Sequence, residues 1–243
     1  MKAAVALGMA LTMTVTGASA VFAEGETLSV ATDFEIKTLV PWAASEENAF
    51  LVLNQAEEGL FRMDENNQPQ PALCDTYEVS DDKLTYTFHL RDGLKWSDGS
   101  DLTANDYVYS ALRVLNPATA GQYVNMISDY VVNAEEFYNG TAKAEDVGIK
   151  AVDEKTLEFT LKSPCPYFVD VVSMWVYFPV QEATIEANGD KWTNQADTYI
   201  CNGPFKIASM SMNENVILEK NENYWDAANV TLEKLTYRYI LDT

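Results

Sequence analysis

Histidine is nearly absent from this chain: of 243 residues, only His89 is one. A Ser-His-Asp triad would have to use it, and no Gly-x-Ser-x-Gly turn is present to raise a nucleophilic serine. One histidine also argues against a multi-histidine metal centre. His89 sits with Thr85 and Thr87 opposite Leu84, Tyr86, Phe88 and Leu90, the polar side of a period-two pattern, so an exposed or hydrogen-bonded role is expected there. Cysteine is scarce too. Cys74, Cys165 and Cys201 form no Cys-x-x-Cys pair, which gives zinc or redox chemistry no support. Their odd number leaves open one disulfide plus a free thiol, or three buried thiols; packing is the expected role. Basic residues are few, 16 against 37 acidic, for a net charge of −21. Such a chain is repelled by phosphate backbones and anionic lipid, which excludes nucleic acid as a partner. Asp64-Glu65-Asn66-Asn67 lacks the glycine and terminal glutamate of a calcium loop. Carboxylate pairs are too abundant for any one to mark a glycosidase. No catalytic residue, metal site or cofactor is expected.

Apolar residues make up 47% of the chain and aromatics 12%, enough for a substantial core. Residues 1–23 read as a secretion signal: Lys2, then the apolar stretch Ala3–Val15, with Ala18-Ser19-Ala20 or Val21-Phe22-Ala23 as the cleavage site. That stretch is too short to span a bilayer, and nothing else reads as transmembrane. The first cysteine is Cys74, so no lipid-anchoring cysteine follows the signal. The expected location is outside the membrane: the periplasm or the external face of the envelope.

Thr27–Ala31 reads as a buried strand, and a helix is expected from Ser45–Asn48 to Glu58, stopped by Gly59. Residues 60–100 look β-rich. Val147–Val152 and Thr156–Leu161 read as a hairpin about Asp153-Glu154-Lys155, Ser163–Phe168 as the opening of a helix, and Gly203–Ile207 with Val216–Lys220 as paired strands. The polar-aromatic turn Asn221–Asp226 and a last strand, Leu235–Leu241, follow. Ending directly after a strong strand, the chain looks cut.

The most specific segment runs from Gly93-Leu94-Lys95-Trp96-Ser97-Asp98-Gly99 to Leu102-Thr103-Ala104-Asn105-Asp106-Tyr107-Val108-Tyr109-Ser110. Asp92-Gly93 and Asp98-Gly99 supply turns. Thr103 and Asp106 have capping-box spacing, and Val108, Ala111, Leu112 and Leu115 form a helical stripe. Trp96 and Asp98 are expected to pin this hairpin. As a string the segment resembles the signature of the extracellular solute-binding proteins of family 5, the peptide- and nickel-binding receptors of ABC importers. Glu57–Phe61, Pro71–Ser80, Tyr86–Gly99, Leu161–Phe168, Cys201–Ile207 and Leu218–Asp226 each resemble family blocks, in family order. The three cysteines are departures from the family pattern.

The resemblance implies an α/β, periplasmic-binding-protein-like (class II) fold that closes on ligand like a hinged trap. It implies residues 24–58 and 190–243 as part of a first lobe, 59–189 as an inserted β-rich subdomain, and a second lobe missing. Function by resemblance is capture of oligopeptides or dipeptides, held extended by main-chain pairing, for a permease and ATPase complex at the membrane, by a monomer and without enzymatic activity. A receptor for a nickel chelate or another small solute, or a truncated secreted product that binds nothing, are the alternatives. Candidate ligand-binding residues are Ser45, Glu46, Glu47, Tyr123, Tyr224, Trp225 and Tyr237. For Trp225, structural packing and ligand contact fit equally well. In relatives the carboxylate that holds a peptide's amino terminus lies in the second lobe.

Overall fold

A computed structural model describes residues 26–32, 36–119, 121–211 and 213–240. The proposed signal sequence lies outside the described residues. Three sheets organise the described residues. The first has order β1-β10-β9-β8 and joins β1 (Glu26–Thr32) to β8 (Phe205–Ser211), β9 (Asn215–Lys220) and β10 (Leu232–Tyr239). β8, β9 and β10 follow one another as antiparallel neighbours, whereas β1 pairs in parallel with β10, Val30 opposite Tyr237. The second, β4-β5-β7-β6, is antiparallel throughout and is built from β4 (Cys74–Val79), β5 (Thr85–Leu90), β6 (Ile149–Asp153) and β7 (Thr156–Thr160). A two-stranded ribbon of β2 (Phe61–Met63) and β3 (Pro69–Pro71) is the third.

The alternation in β5 does what period-two patterning requires. Tyr86, Phe88 and Leu90 are buried, while Thr85, Thr87 and His89 are half-buried on the other face. Phe88 meets Phe61 and Phe159 edge-on at 5.8 Å between ring centres in each case, so the ribbon and the second sheet share one aromatic core.

α1 (Glu47–Ala56) packs Ala49, Val52, Leu53 and Ala56 inward. It is tied to the first sheet by the Tyr237 hydroxyl, which donates to the Leu51 carbonyl at 3.0 Å. α2 (Ala104–Val114) starts at a true capping box: Thr103 N donates to Asp106 Oδ2 at 2.7 Å and Asn105 N to Thr103 Oγ1 at 3.3 Å. Shorter helices α3 (Asn125–Ser128), α4 (Ala134–Tyr138), α5 (Phe168–Val171) and α6 (Glu182–Asn188) complete the set. Among the described residues no helix is long and apolar enough to cross a membrane.

Two expectations need correction. β1 is not a buried strand: it is an edge of its sheet, and of its seven residues only Thr32 is buried. Ser163–Phe168 does not open a helix. The stretch instead bends and then turns, with Phe168 N donating to Cys165 O at 3.1 Å, and α5 starts only at Phe168. The stripe expected on α2 stands: Ala111 and Leu115 are buried and Val108 and Leu112 pack half-buried against the core, beside buried Ala104, Tyr107, Ser110 and Val114. All three cysteines are buried free thiols.

Candidate functional site

The Glu57–Phe61 segment, where α1 gives way to β2, is the junction of the molecule. The Glu57 N–H closes the helix on Leu53 O at 2.7 Å, and the chain then runs extended. Asn202 clamps the main chain of Glu58 from both sides: its Oδ1 accepts the Glu58 N–H at 2.9 Å and its Nδ2 donates to the Glu58 carbonyl at 2.9 Å. Gly203 then donates to Ala56 O at 2.8 Å. A Cβ on Gly203 would lie 2.6 Å from the Ala56 carbonyl carbon, so only glycine permits this approach.

Consecutive side chains in an extended segment point opposite ways, and the two glutamates have different surroundings. Glu58 Oε1 accepts from Tyr224 Oη at 2.9 Å and from Arg62 Nη2 at 2.5 Å, and Oε2 from Trp225 Nε1 at 2.6 Å. The Arg91 guanidinium covers the Trp225 ring at 4.0 Å and reaches Asp75 at 3.2 Å. Burial pushes the Glu58 carboxyl upward, opposed first by the Arg62 charge and then by the Trp225 and Tyr224 bonds. Burial pushes Glu57 well above the usual glutamate range, against hydrogen bonds with Tyr199 and the Asn202 main chain.

The tryptophan-containing signature also joins parts of the fold. Ser97 N donates to Cys201 O at 2.7 Å, Cys201 N to Ser97 Oγ at 3.1 Å, and Asn223 Nδ2 to Ser97 O at 3.1 Å. Asp98 accepts from Ser100 N at 2.9 Å and from Gln181 Nε2 at 3.0 Å. Trp96 is buried. These contacts bolt the turn after β5 to the approach to β8.

The seven candidate residues divide into two groups. Ser45 and Glu47 are exposed at the start of α1, and Glu46, half-buried at the N-cap, pairs with Lys37 at 3.4 Å. Tyr123 meets Trp175 edge-on at 5.3 Å, and Trp175 lies against Phe50 of α1 at 4.3 Å. Gln122 N donates to Trp42 O at 3.1 Å, which fixes the Tyr123 segment beside the loop leading into α1. Tyr123 thus lies, through Trp175 and Phe50, beside α1, whose start carries Ser45, Glu46 and Glu47. Tyr224, Trp225 and Tyr237 do not join them. Tyr224 and Trp225 serve Glu58 beyond the other end of α1, and Tyr237 is buried beneath it, its hydroxyl pushed up to about 12 by burial.

Sequence reasoning missed Phe50, Trp175 and the central place of Glu58. Phe50 and Trp175 stand in no recognisable motif, but a charged residue directly after a helix and before Gly59 was a readable signal for Glu58. Between the end of α1, β2 and the turn Ser173–Phe178 lies a cavity of about 420 Å³, lined by Asn54, Arg62, Met63, Met174, Trp175 and Phe178 among others. Among the described residues no group of acidic, histidine or cysteine side chains could hold a metal ion.

Residues 68–243 match the model of bacterial extracellular solute-binding proteins, family 5. The chain is 37% identical over 210 residues to the oligopeptide-binding protein OppA of Bacillus subtilis, covering 86% of this chain and 38% of that protein. Against the periplasmic oligopeptide-binding protein OppA of Salmonella typhimurium the identity is 38% over 181 residues, 74% of this chain and 33% of the other. The solved structure of Listeria monocytogenes OppA bound to peptide superposes with a TM-score of 0.85 at 33% identity, over 89% of this chain and 43% of that one. The chain thus spans well under half the length of these relatives. By family model, relatives and fold alike, this chain belongs to the bacterial extracellular solute-binding proteins, family 5.

Proposed function

We propose that this chain forms one wall of an exported receptor that captures extended oligopeptides or dipeptides for an ABC importer, and that it does so by binding alone, without catalysis. The observation that carries the reading is its superposition, over 89% of its length, on a receptor solved with peptide bound. The placement of Tyr123 beside α1, whose start carries Ser45, Glu46 and Glu47, supports it. In this reading those four residues meet the ligand, while Tyr224, Trp225 and Tyr237 hold the wall rigid from behind. Main-chain pairing supplies affinity, which demands few charged side chains.

The first sheet draws its strands only from residues 26–32 and 205–239, and the second only from 74–160. That division supports a first lobe made of 24–58 and 190–243 with 59–189 inserted into it. The net charge of −21 suits a protein that stays dissolved beside an anionic membrane. The partner is a permease and ATPase complex, and the working unit a monomer in the periplasm or on the outer face of the envelope.

A trap grips with two jaws, so this chain alone should bind peptides only weakly. The test is a chimera in which it replaces the matching part of the Bacillus subtilis relative. Titrated in a calorimeter with mixed tri- and tetrapeptides, the chimera should bind. A chimera that melts cooperatively yet gives no heat, where the parent does, refutes the reading.

A further inference from the structure

Arg62 carries two nitrogens without a partner at the edge of a cavity. Its Nη2 donates to Glu58 Oε1 at 2.5 Å and to Tyr224 Oη at 3.4 Å, which holds one corner of the guanidinium in place. Nε and Nη1 have no partner among the described residues. The side chain is 49% exposed. It lines the cavity of about 420 Å³ between the end of α1, β2 and the turn 173–178, a volume within the roughly 300–1,000 Å³ usual for small-ligand sites. Trp175, in the same lining, lies against Phe50 of α1 at 4.3 Å and meets Tyr123 edge-on at 5.3 Å, so the cavity adjoins the side of the wall that carries Tyr123.

The rest of the lining decides what fits. The side-chain amides of Asn54 and Gln55, at the end of α1, make no hydrogen bond among the described residues and add donors beside Arg62. Neither glutamate of the lining competes. The Glu58 side chain is 2% exposed, and both of its oxygens are taken by Tyr224, Trp225 and Arg62. Glu57 is also 2% exposed. Its Oε2 lacks a partner but is sealed inside the protein, as is Trp175 Nε1, so neither atom can touch a ligand. Burial, moreover, holds the Glu57 carboxyl toward its uncharged form. An ammonium entering here would meet the Arg62 charge with no exposed carboxylate to answer it. An apolar group would strip water from unpaired guanidinium N–H groups at a cost. A carboxylate satisfies them, because the planar fork of an arginine matches its two oxygens. The excess negative charge of the chain is screened beyond about 8 Å at physiological ionic strength, so the adjacent groups govern the choice.

We propose that this cavity receives a carboxylate of the bound peptide, from an aspartate or glutamate side chain or from the carboxyl terminus, and that Arg62 donates to it through Nε or Nη1. The inference deepens the peptide-capture reading and rests on it. Arg62 is then a specificity-determining residue, and the receptor prefers peptides with a carboxylate at that place over the matching amides.

The test uses the Nε–H signals of the four arginines in the 243-residue chain, labelled with nitrogen-15. Three peptides are titrated to millimolar concentration: Ala-Gln-Ala-amide has no carboxylate, Ala-Gln-Ala only the terminal one, and Ala-Glu-Ala-amide only the side-chain one. Arg62→Lys, which keeps a cation beside Glu58, identifies the Arg62 signal by deletion. That signal should move downfield with at least one carboxylate peptide and stay still with Ala-Gln-Ala-amide; the peptide that moves it names the source. In the chimera the same peptide should bind about two- to fivefold more tightly than Ala-Gln-Ala-amide, as a half-exposed ion pair allows. Arg62→Gln should level the two affinities, and the preference of the native chimera decides the matter if that variant does not melt cooperatively. An Arg62 signal that no carboxylate peptide moves, or that moves no more than the other three, overturns the proposal. Equal affinity of the native chimera for carboxylate and amide peptides does the same, and in both cases a chimera that still binds leaves peptide capture standing. If the chimera binds none of the three, peptide capture fails with the proposal.

Discussion

Replacing Glu58 by glutamine or leucine tests how the wall is braced. In the native protein the Glu58 side chain is only 2% exposed and accepts from Tyr224, Trp225 and Arg62. Leucine removes every acceptor, leaving the Tyr224 hydroxyl and Trp225 indole without this partner. Bonds to a charged group are worth about 1.5–3 kcal/mol each, which makes roughly 3–6 kcal/mol for the two. Arg62 adds at most about 1 kcal/mol, because its side chain is 49% exposed and screened by water. Against this stands the burial cost of the carboxylate, seen in its raised pKa, which the substitution relieves. The net expectation is a loss of about 2–4 kcal/mol for leucine and about half that for glutamine, which keeps one carbonyl. For a chain of this size that lowers the melting temperature by roughly 4–16 °C for leucine. Thermal melts followed by near-ultraviolet circular dichroism measure it, and a Glu58→Gln/Tyr224→Phe double-mutant cycle isolates the pair. Melting within 1 °C of the native protein for both Glu58 variants, or strict additivity in the cycle, refutes the bracing argument.

Gly203→Ala should cost about 1–3 kcal/mol or more, because its Cβ meets main chain at 2.6 Å rather than a side chain that can turn aside; chemical denaturation reads the loss. Glu57 and Glu58 both have folded pKa values raised by burial, so the folded state keeps protons that the unfolded chain has released. Their contribution to stability is complete below the ordinary glutamate range and is lost as pH rises through the folded values. Melting temperatures should therefore fall more between pH 5 and pH 8 in the native protein than in Glu57→Gln; an identical slope contradicts this. Burial also pushes the Cys74 thiol up to about 12 and the Cys201 thiol higher still. Neither should react with a thiol reagent at pH 8 until denaturant is added, as a colorimetric thiol assay will show.

Local physics made much of the fold readable in the sequence. The capping box at Thr103 and Asp106, the alternation of β5 and the two late strands each depend on neighbours within a few residues, and each stands where the pattern put it. What escaped was non-local. The parallel pairing of β1 with β10 joins residues more than 200 positions apart, and nothing in Glu26–Thr32 announces that it lies at an edge. The proposed binding face shows the same split. Ser45–Glu47 could be placed at the start of a helix, but Trp175 reaches it only through tertiary contact with Phe50 and Tyr123. Tyr224 and Trp225 belonged to a conspicuous string, yet which carboxylate they serve depended on Glu58 being folded beneath them.

The most direct check on peptide capture is a backbone-amide chemical-shift map of the chain under millimolar tripeptide. The expected result is perturbation concentrated in residues 45–54, 121–124 and 173–178, with the amides of Tyr224, Trp225 and Tyr237 nearly unmoved. Shifts centred on those last three residues, with the start of α1 silent, would contradict it.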